Sequence, residues 1–200
     1  MYVIGVDEAG RGPLAGPLAV GVVRAVHGLD LLAEFPGLND SKKLTEKKRE
    51  ELFTLLEAHP DIAYTVEWIR AAEIDERGLT VPIRDAVARG VEALMRPGEG
   101  RVFLDGLLTA PDKYEQETVV RGDSRIPAIM LASVAAKVLR DRKMHELEMA
   151  YPGYGFKTHK GYGTKAHYEA LERLGPCAEH RRLFLRKMSR PRRQAAGAGS

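Results

Sequence analysis

Two hundred residues with 44% hydrophobic content suffice for one domain with a substantial core, and no apolar run approaches the roughly 20 residues that span a bilayer. The lone Cys177 excludes an internal disulfide and fits a reducing cytoplasm. The net charge of +3 is unevenly placed: residues 137–200 carry 15 Lys and Arg against 6 Asp and Glu, a formal +9, while residues 1–136 carry 16 against 22, a formal −6. Cations that hold a polyanion beside carboxylates that hold a metal are what a phosphate-cleaving protein needs.

No basic stretch followed by a signal-type apolar segment opens the chain. Tyr2, Ile4 and Val6 alternate with Val3 and Gly5, which predicts a buried strand over residues 2–8 that delivers Asp7 and Glu8 to its rim. Two acids at the edge of a core are costly without compensation, so a divalent cation, an Arg or a catalytic role is expected beside them. Consecutive residues of a regular strand face opposite ways, so Glu8 joins Asp7 only where the strand ends or twists. Gly10 and Gly12 make that break plausible. The segment Gly10-Arg11-Gly12-Pro13-Leu14-Ala15-Gly16 is not a dinucleotide fingerprint, because its last gap is three residues long and two prolines lie nearby.

Residues 18–26 read as a hairpin partner of the first strand, and residues 62–69 as a further strand. Thr45 is a candidate cap for a helix with Leu52, Leu55 and Leu56 inward, ending before Pro60. A second helix follows Thr80, with Pro82 in its first turn and Ile83, Val87, Val91 and Leu94 at helical spacing. Residues 102–104 form a strand ending at Asp105-Gly106, and residues 118–120 another that runs through Arg121 into Gly122-Asp123. Strand ends gather along one sheet edge, so Asp7, Glu8, Asp105 and Asp123 are candidates for one crevice. An all-oxygen set of this kind suits Mg2+ or Mn2+. A longer helix is expected over residues 128–149, its Ala132, Ala135 and Ala136 allowing close approach to a sheet. Helices over 164–174, closed by Gly175, and over 178–188 complete the pattern.

Six blocks occur in order: Asp7-Glu8-Ala9-Gly10-Arg11-Gly12-Pro13, Asp40-Ser41-Lys42-Lys43-Leu44, Asp105-Gly106, Gly122-Asp123, Ala136-Lys137-Val138-Leu139-Arg140-Asp141 and His159-Lys160-Gly161-Tyr162-Gly163-Thr164. Together they resemble bacterial ribonuclease HII over residues 1–188. The resemblance implies an α/β ribonuclease H-like fold: a mixed central sheet flanked by helices, with a helical C-terminal portion. It places the four catalytic, metal-holding acids on Asp7, Glu8, Asp105 and Asp123. Two-metal hydrolysis would follow, one ion lowering the pKa of the attacking water and the other stabilising the leaving 3′ oxygen. It also implies that the Gly10-Arg11-Gly12 backbone senses a ribose 2′-hydroxyl, a close approach that glycine permits, and that Tyr162 packs on the neighbouring sugar. Lys42, Lys43, Lys160 and Thr164 are suited to phosphate contacts, and Thr164 also to capping the next helix.

The implied activity is nicking of the RNA strand of RNA/DNA hybrids, and cleavage 5′ of single ribonucleotides in duplex DNA, by a cytoplasmic monomer. A noncatalytic hybrid-binding protein is disfavoured by the four acids, because binding a polyanion gains nothing from clustered negative charge without metal. A resolvase or transposase of the same broad fold is disfavoured by the Gly-Arg-Gly and Lys-Gly-Tyr-Gly-Thr blocks. Asp141, inside a helix beside Arg140 and Arg142, reads as a structural ion-pair partner. Two stretches depart from the family pattern, Ile129-Met130-Leu131-Ala132-Ser133-Val134 and Thr80-Val81-Pro82-Ile83. Residues 189–200 read as a disordered basic tail.

Overall fold

The computed structural model describes residues 1–186. Five strands, β1 (Tyr2–Ala9), β2 (Leu18–Val26), β3 (Ile62–Ile69), β4 (Gly100–Asp105) and β5 (Glu115–Val119), form one sheet in the order β3-β2-β1-β4-β5. The β1–β2 and β2–β3 pairs are antiparallel, while β1–β4 and β4–β5 are parallel. The helices are α1 (Leu31–Glu34), α2 (Glu46–Ala58), α3 (Ala71–Arg77), α4 (Thr80–Leu94), α5 (Pro127–Ala150), α6 (Phe156–His159), α7 (Lys165–Leu174) and α8 (Arg182–Leu185).

Alternation along the strands divides the core in two. Ile4, Val6, Val20, Val22, Val102 and Leu104 pack on one face against Ile83, Val87 and Val91 of α4. Val23 and Ala25 belong to the opposite layer, with Leu131 and Val134 of α5 and Leu52, Phe53 and Leu56 of α2. On that face α5 lies directly on the strands. A Cβ on Gly5 would sit 2.1 Å from the carbonyl carbon of Ala128, and one on Gly21 would sit 2.3 Å from the carbonyl oxygen of Ala132. Small residues on both surfaces thus bring α5 close enough for Ser133 to reach Asp7.

The mixed sheet and the β1–β2 hairpin match the sequence expectation, as does the Thr45 cap, whose Oγ1 accepts from the Lys48 N–H at 3.2 Å. Four local expectations are corrected, and one helix was missed. Leu55 is exposed, and Phe53 takes the inward position beside Leu52 and Leu56. The last strand stops at Val119, leaving Val120 exposed. Asp123 therefore lies in a single 3₁₀ turn, Gly122–Ser124, rather than at a strand end, after Arg121 takes a left-handed conformation at φ 56°. The helix expected from Ala178 begins only at Arg182, because His180 bridges to Ala15 in extended geometry. Helix α3 escaped a periodicity reading because its seven residues bury only Ala71 and Ile74. Among the described residues no helix is long and apolar enough to cross a membrane. The tail expectation for residues 189–200 lies outside the described residues.

Candidate active site

Asp7 leaves β1 on the α5 face, Asp105 ends the parallel neighbour β4, and the turn after β5 swings Asp123 back over them. One carboxylate oxygen from each lies within 4.8 Å of the other two. The Asp123 N–H donates to Asp105 Oδ1 at 3.3 Å, which pins the turn to the strand end. Asp7 is 5% exposed and Asp123 6%. Burial, with the charges of Glu8 and Asp105, pushes the Asp7 carboxyl up to about 8, against the stabilising donation of the Ser133 hydroxyl. Ser133 is in turn bonded to Ser41 at 2.7 Å.

Such a trio carries more negative charge than its surroundings neutralise. Lys42 Nζ supplies one cation, 3.0 Å from Asp123 Oδ2, and the bond raises the lysine pKa. Oxygen-only donors, convergent geometry and a carboxyl driven toward its neutral form all fit a divalent cation held by Asp7, Asp105 and Asp123.

Glu8 stands differently. β1 stays paired with β2 through Ala9, so Glu8 leaves the strand on the face opposite Asp7, and its Oε1 meets Arg11 Nε at 2.9 Å. Burial, followed by Asp105, raises its pKa, while Arg11 and Lys42 lower it. Glu8 is thus near the trio's field but outside the three converging oxygens.

This site belongs to a recognisable group. A family model described as ribonuclease HII matches residues 4–189. The chain belongs to the ribonuclease HII family. The ribonuclease HII of Geobacillus kaustophilus is 47% identical over 182 residues, covering 91% of this chain and 67% of that one. The crystal structure of ribonuclease H2 from Pyrococcus horikoshii aligns with a TM-score of 0.76 at 28% identity, covering 94% of this chain and 97% of that one. A ribonuclease HIII solved in complex with Mn2+ shares the fold, with a TM-score of 0.66 at 19% identity over 88% of this chain and 63% of that one. The chain is accordingly a type 2 ribonuclease H, an RNA-strand endonuclease of ribonuclease H-like fold, with an acidic trio compatible with a divalent metal.

Around the ribonuclease HII trio, the glycine loop and the loop of Tyr162 meet: a methyl on Gly12 would lie 3.9 Å from the Tyr162 ring. Tyr162 is 46% exposed beside it. Lys42 and Lys43 are exposed on one turn. Lys160 points elsewhere, its Nζ 2.5 Å from His145 Nε2 and 3.8 Å from Glu46. Thr164 caps α7, accepting from the His167 N–H at 3.3 Å. Asp141 is an ion-pair partner as expected, but of Lys137 at 2.7 Å and Arg49 at 3.7 Å; Arg142 pairs with Glu50 and Arg140 binds only backbone.

Two imidazoles that the sequence reading passed over support Tyr162 from beneath. The Tyr162 carbonyl can only accept, so His167 Nδ1 donates to it at 2.9 Å, leaving Nε2 to accept from His180 Nε2 at 3.0 Å. His180 Nδ1 then accepts the Cys177 N–H at 3.0 Å. This relay requires neutral rings. Burial first, then His167, pulls the His180 pKa down to about 4, and burial also pushes the Cys177 thiol up, which keeps it a poor nucleophile. Between pH 6.5 and about 4 the unfolded chain binds a His180 proton that the fold refuses, so stability should fall as pH drops through that window. Melting curves from pH 7 to 4.5 should show a steeper decline for the wild type than for His180→Gln. Parallel curves would exclude His180 as the titrating group.

Proposed function

We propose that this protein nicks the RNA strand of RNA/DNA hybrids and cuts 5′ of single ribonucleotides in duplex DNA, leaving 3′-hydroxyl and 5′-phosphate ends. The observation that carries the reading is the buried Asp7–Asp105–Asp123 trio lying in a chain whose glycine loop and Tyr162 also come together. Residues 1–188 act as one catalytic unit, monomeric and cytoplasmic, and its partner is the hybrid or the ribonucleotide-bearing duplex.

Asp7, Asp105 and Asp123 hold Mg2+ or Mn2+, with Glu8 completing the set once Arg11 turns to a phosphate. When bound, two such ions would activate the attacking water and stabilise the leaving 3′ oxygen. The protein's own groups do the rest. The Ser133 hydroxyl favours the charged form of Asp7, while Asp105 fixes the Asp123 turn. Lys42 and Arg11 neutralise carboxylates in the free protein and can transfer to phosphate oxygens; Lys43 and Thr164 extend that phosphate track, which Lys160 joins on leaving His145 and Glu46. Gly10, Arg11 and Gly12 meet the ribonucleotide, and Tyr162 packs on the next sugar.

The test is cleavage of a labelled DNA duplex carrying one ribonucleotide, with Mg2+, Mn2+ or EDTA, mapped to single-nucleotide resolution. A metal-dependent cut 5′ of the ribonucleotide is expected. Tyr162→Ala should slow that substrate by about tenfold, the worth of one stacking contact, and slow long hybrids less. Cleavage of long hybrids only would remove the junction-reading part, and binding without cleavage would remove catalysis.

A further inference from the structure

Two arginines are buried with no ion-pair partner among the described residues. Arg140 on α5 is 1% exposed and Arg181, just before α8, is 0% exposed. Every hydrogen bond they make among the described residues ends on a backbone carbonyl. Arg181 donates to Gly10 at 2.7 Å, to Arg11 at 3.0 Å, and twice to Gly16 at 2.8 and 3.0 Å. Arg140 donates to Pro17 at 2.9 Å, to Lys160 at 3.0 Å and to Ala15 at 3.5 Å. Burial lowers both guanidinium pKa values, Arg181 to about 9, which leaves it charged at neutral pH.

Burying a cation without a counter-charge is expensive, and an apolar side chain would fill the same space at lower cost. What an apolar side chain cannot do is orient peptide groups. In a planar trans peptide the C=O of one residue and the N–H of the next point in opposite directions. Drawing the Gly10 and Arg11 carbonyls inward therefore turns the Arg11 and Gly12 N–H groups outward. Both residues are exposed, and neither N–H has a partner among the described residues. Gly10 has φ +90°, and a Cβ there would lie 2.0 Å from Arg140 Nε, so the glycine lets the guanidinium pass directly under the loop. The same Arg140 ties in the Lys160 carbonyl, and the Leu14 N–H donates to Gly161, which seats the Tyr162 loop on the glycine loop.

We propose that Arg140 and Arg181 are positioning residues for ribonucleotide recognition: they grip the Gly10–Pro17 loop by its carbonyls and so present the Arg11 and Gly12 N–H groups as paired donors to a ribose 2′-hydroxyl. The inference rests on the reading under Proposed function and deepens it, because it assigns substrate discrimination to groups that never touch substrate.

The test uses full-length Arg181→Lys and Arg140→Lys, which keep the charge but lose the fork, alongside Leu56→Ala as a core variant remote from the loop. Steady-state kinetics on the single-ribonucleotide duplex are measured with the same-sequence all-DNA duplex as a competitor. KM for the ribonucleotide duplex should rise about tenfold in each Lys variant, the worth of one charge-assisted hydrogen bond, while Ki of the all-DNA competitor stays unchanged. Leu56→Ala should lower the melting temperature without moving the ratio of KM to Ki. The proposal is overturned if a folded Lys variant keeps the wild-type ratio, if KM and Ki rise together, or if the wild type itself does not distinguish the two duplexes. Should the wild type cut no ribonucleotide-bearing substrate with either metal, it is the functional reading that fails, which separates the two failures.

Discussion

Asp7→Asn should lower the cleavage rate by at least about a thousandfold and, without metal, raise the melting temperature. The loss follows from removing the most buried oxygen donor of the trio, whose bound cation is worth several kcal/mol to the reaction. The gain follows from the pH behaviour of the carboxyl. Above pH 3.8 the unfolded chain releases the Asp7 proton, whereas the metal-free fold keeps it to about pH 8, so wild-type stability declines as pH rises through that window. Asn has no proton to lose. Its advantage should be absent near pH 4 and amount to several degrees at pH 8. Excess Mn2+ should reverse the order, since a ligand that binds only the folded wild type stabilises it by mass action. Melting curves in EDTA and in Mn2+ at both pH values, with cleavage rates, make the check. A mutant that cuts normally, or one less stable than wild type at pH 8 in EDTA, would remove Asp7 from the centre of the site.

Gly5→Val should be among the most damaging substitutions remote from the chemistry, costing at least about 3 kcal/mol, a level reached by overpacking against unyielding backbone. Most core positions can relax around an added methyl by moving a side chain. At Gly5 the obstruction is the Ala128–Ile129 peptide itself, so α5 would have to lift from β1. Lifting α5 also withdraws Ser133 from Asp7, and a residual fold should therefore show weakened metal binding as well. Gly5→Ala already places a Cβ in that contact and should cost an intermediate amount. Urea unfolding of both variants tests this; an Ala variant within about 0.5 kcal/mol of wild type, the range of neutral surface changes, would refute the contact.

What could be read from the sequence was whatever depends on local pattern. Period-two alternation at Tyr2, Ile4 and Val6 located β1, and the apolar run to Asp105 located β4, because burial of one strand face is written in consecutive residues. The cap residues Thr45 and Thr164 were legible for the same reason, since their bonds reach only three residues ahead. Acids at strand ends pointed to one crevice, and the ordered blocks around Gly10 and Tyr162 pointed to a family. Position in three dimensions was not legible. Asp123 reaches the trio through a turn opened by Arg121 in a left-handed conformation, and nothing in Thr118-Val119-Val120 says that the strand stops one residue early. Glu8 pairs with Arg11 because β1 keeps its register through Ala9, a consequence of pairing with β2. Arg140 and Arg181 look like ordinary members of a basic third of the chain. Only the tertiary structure buries them, more than 120 residues from the glycine-loop carbonyls they hold, because a guanidinium's partners are set by packing between distant segments and leave no periodic trace in the sequence.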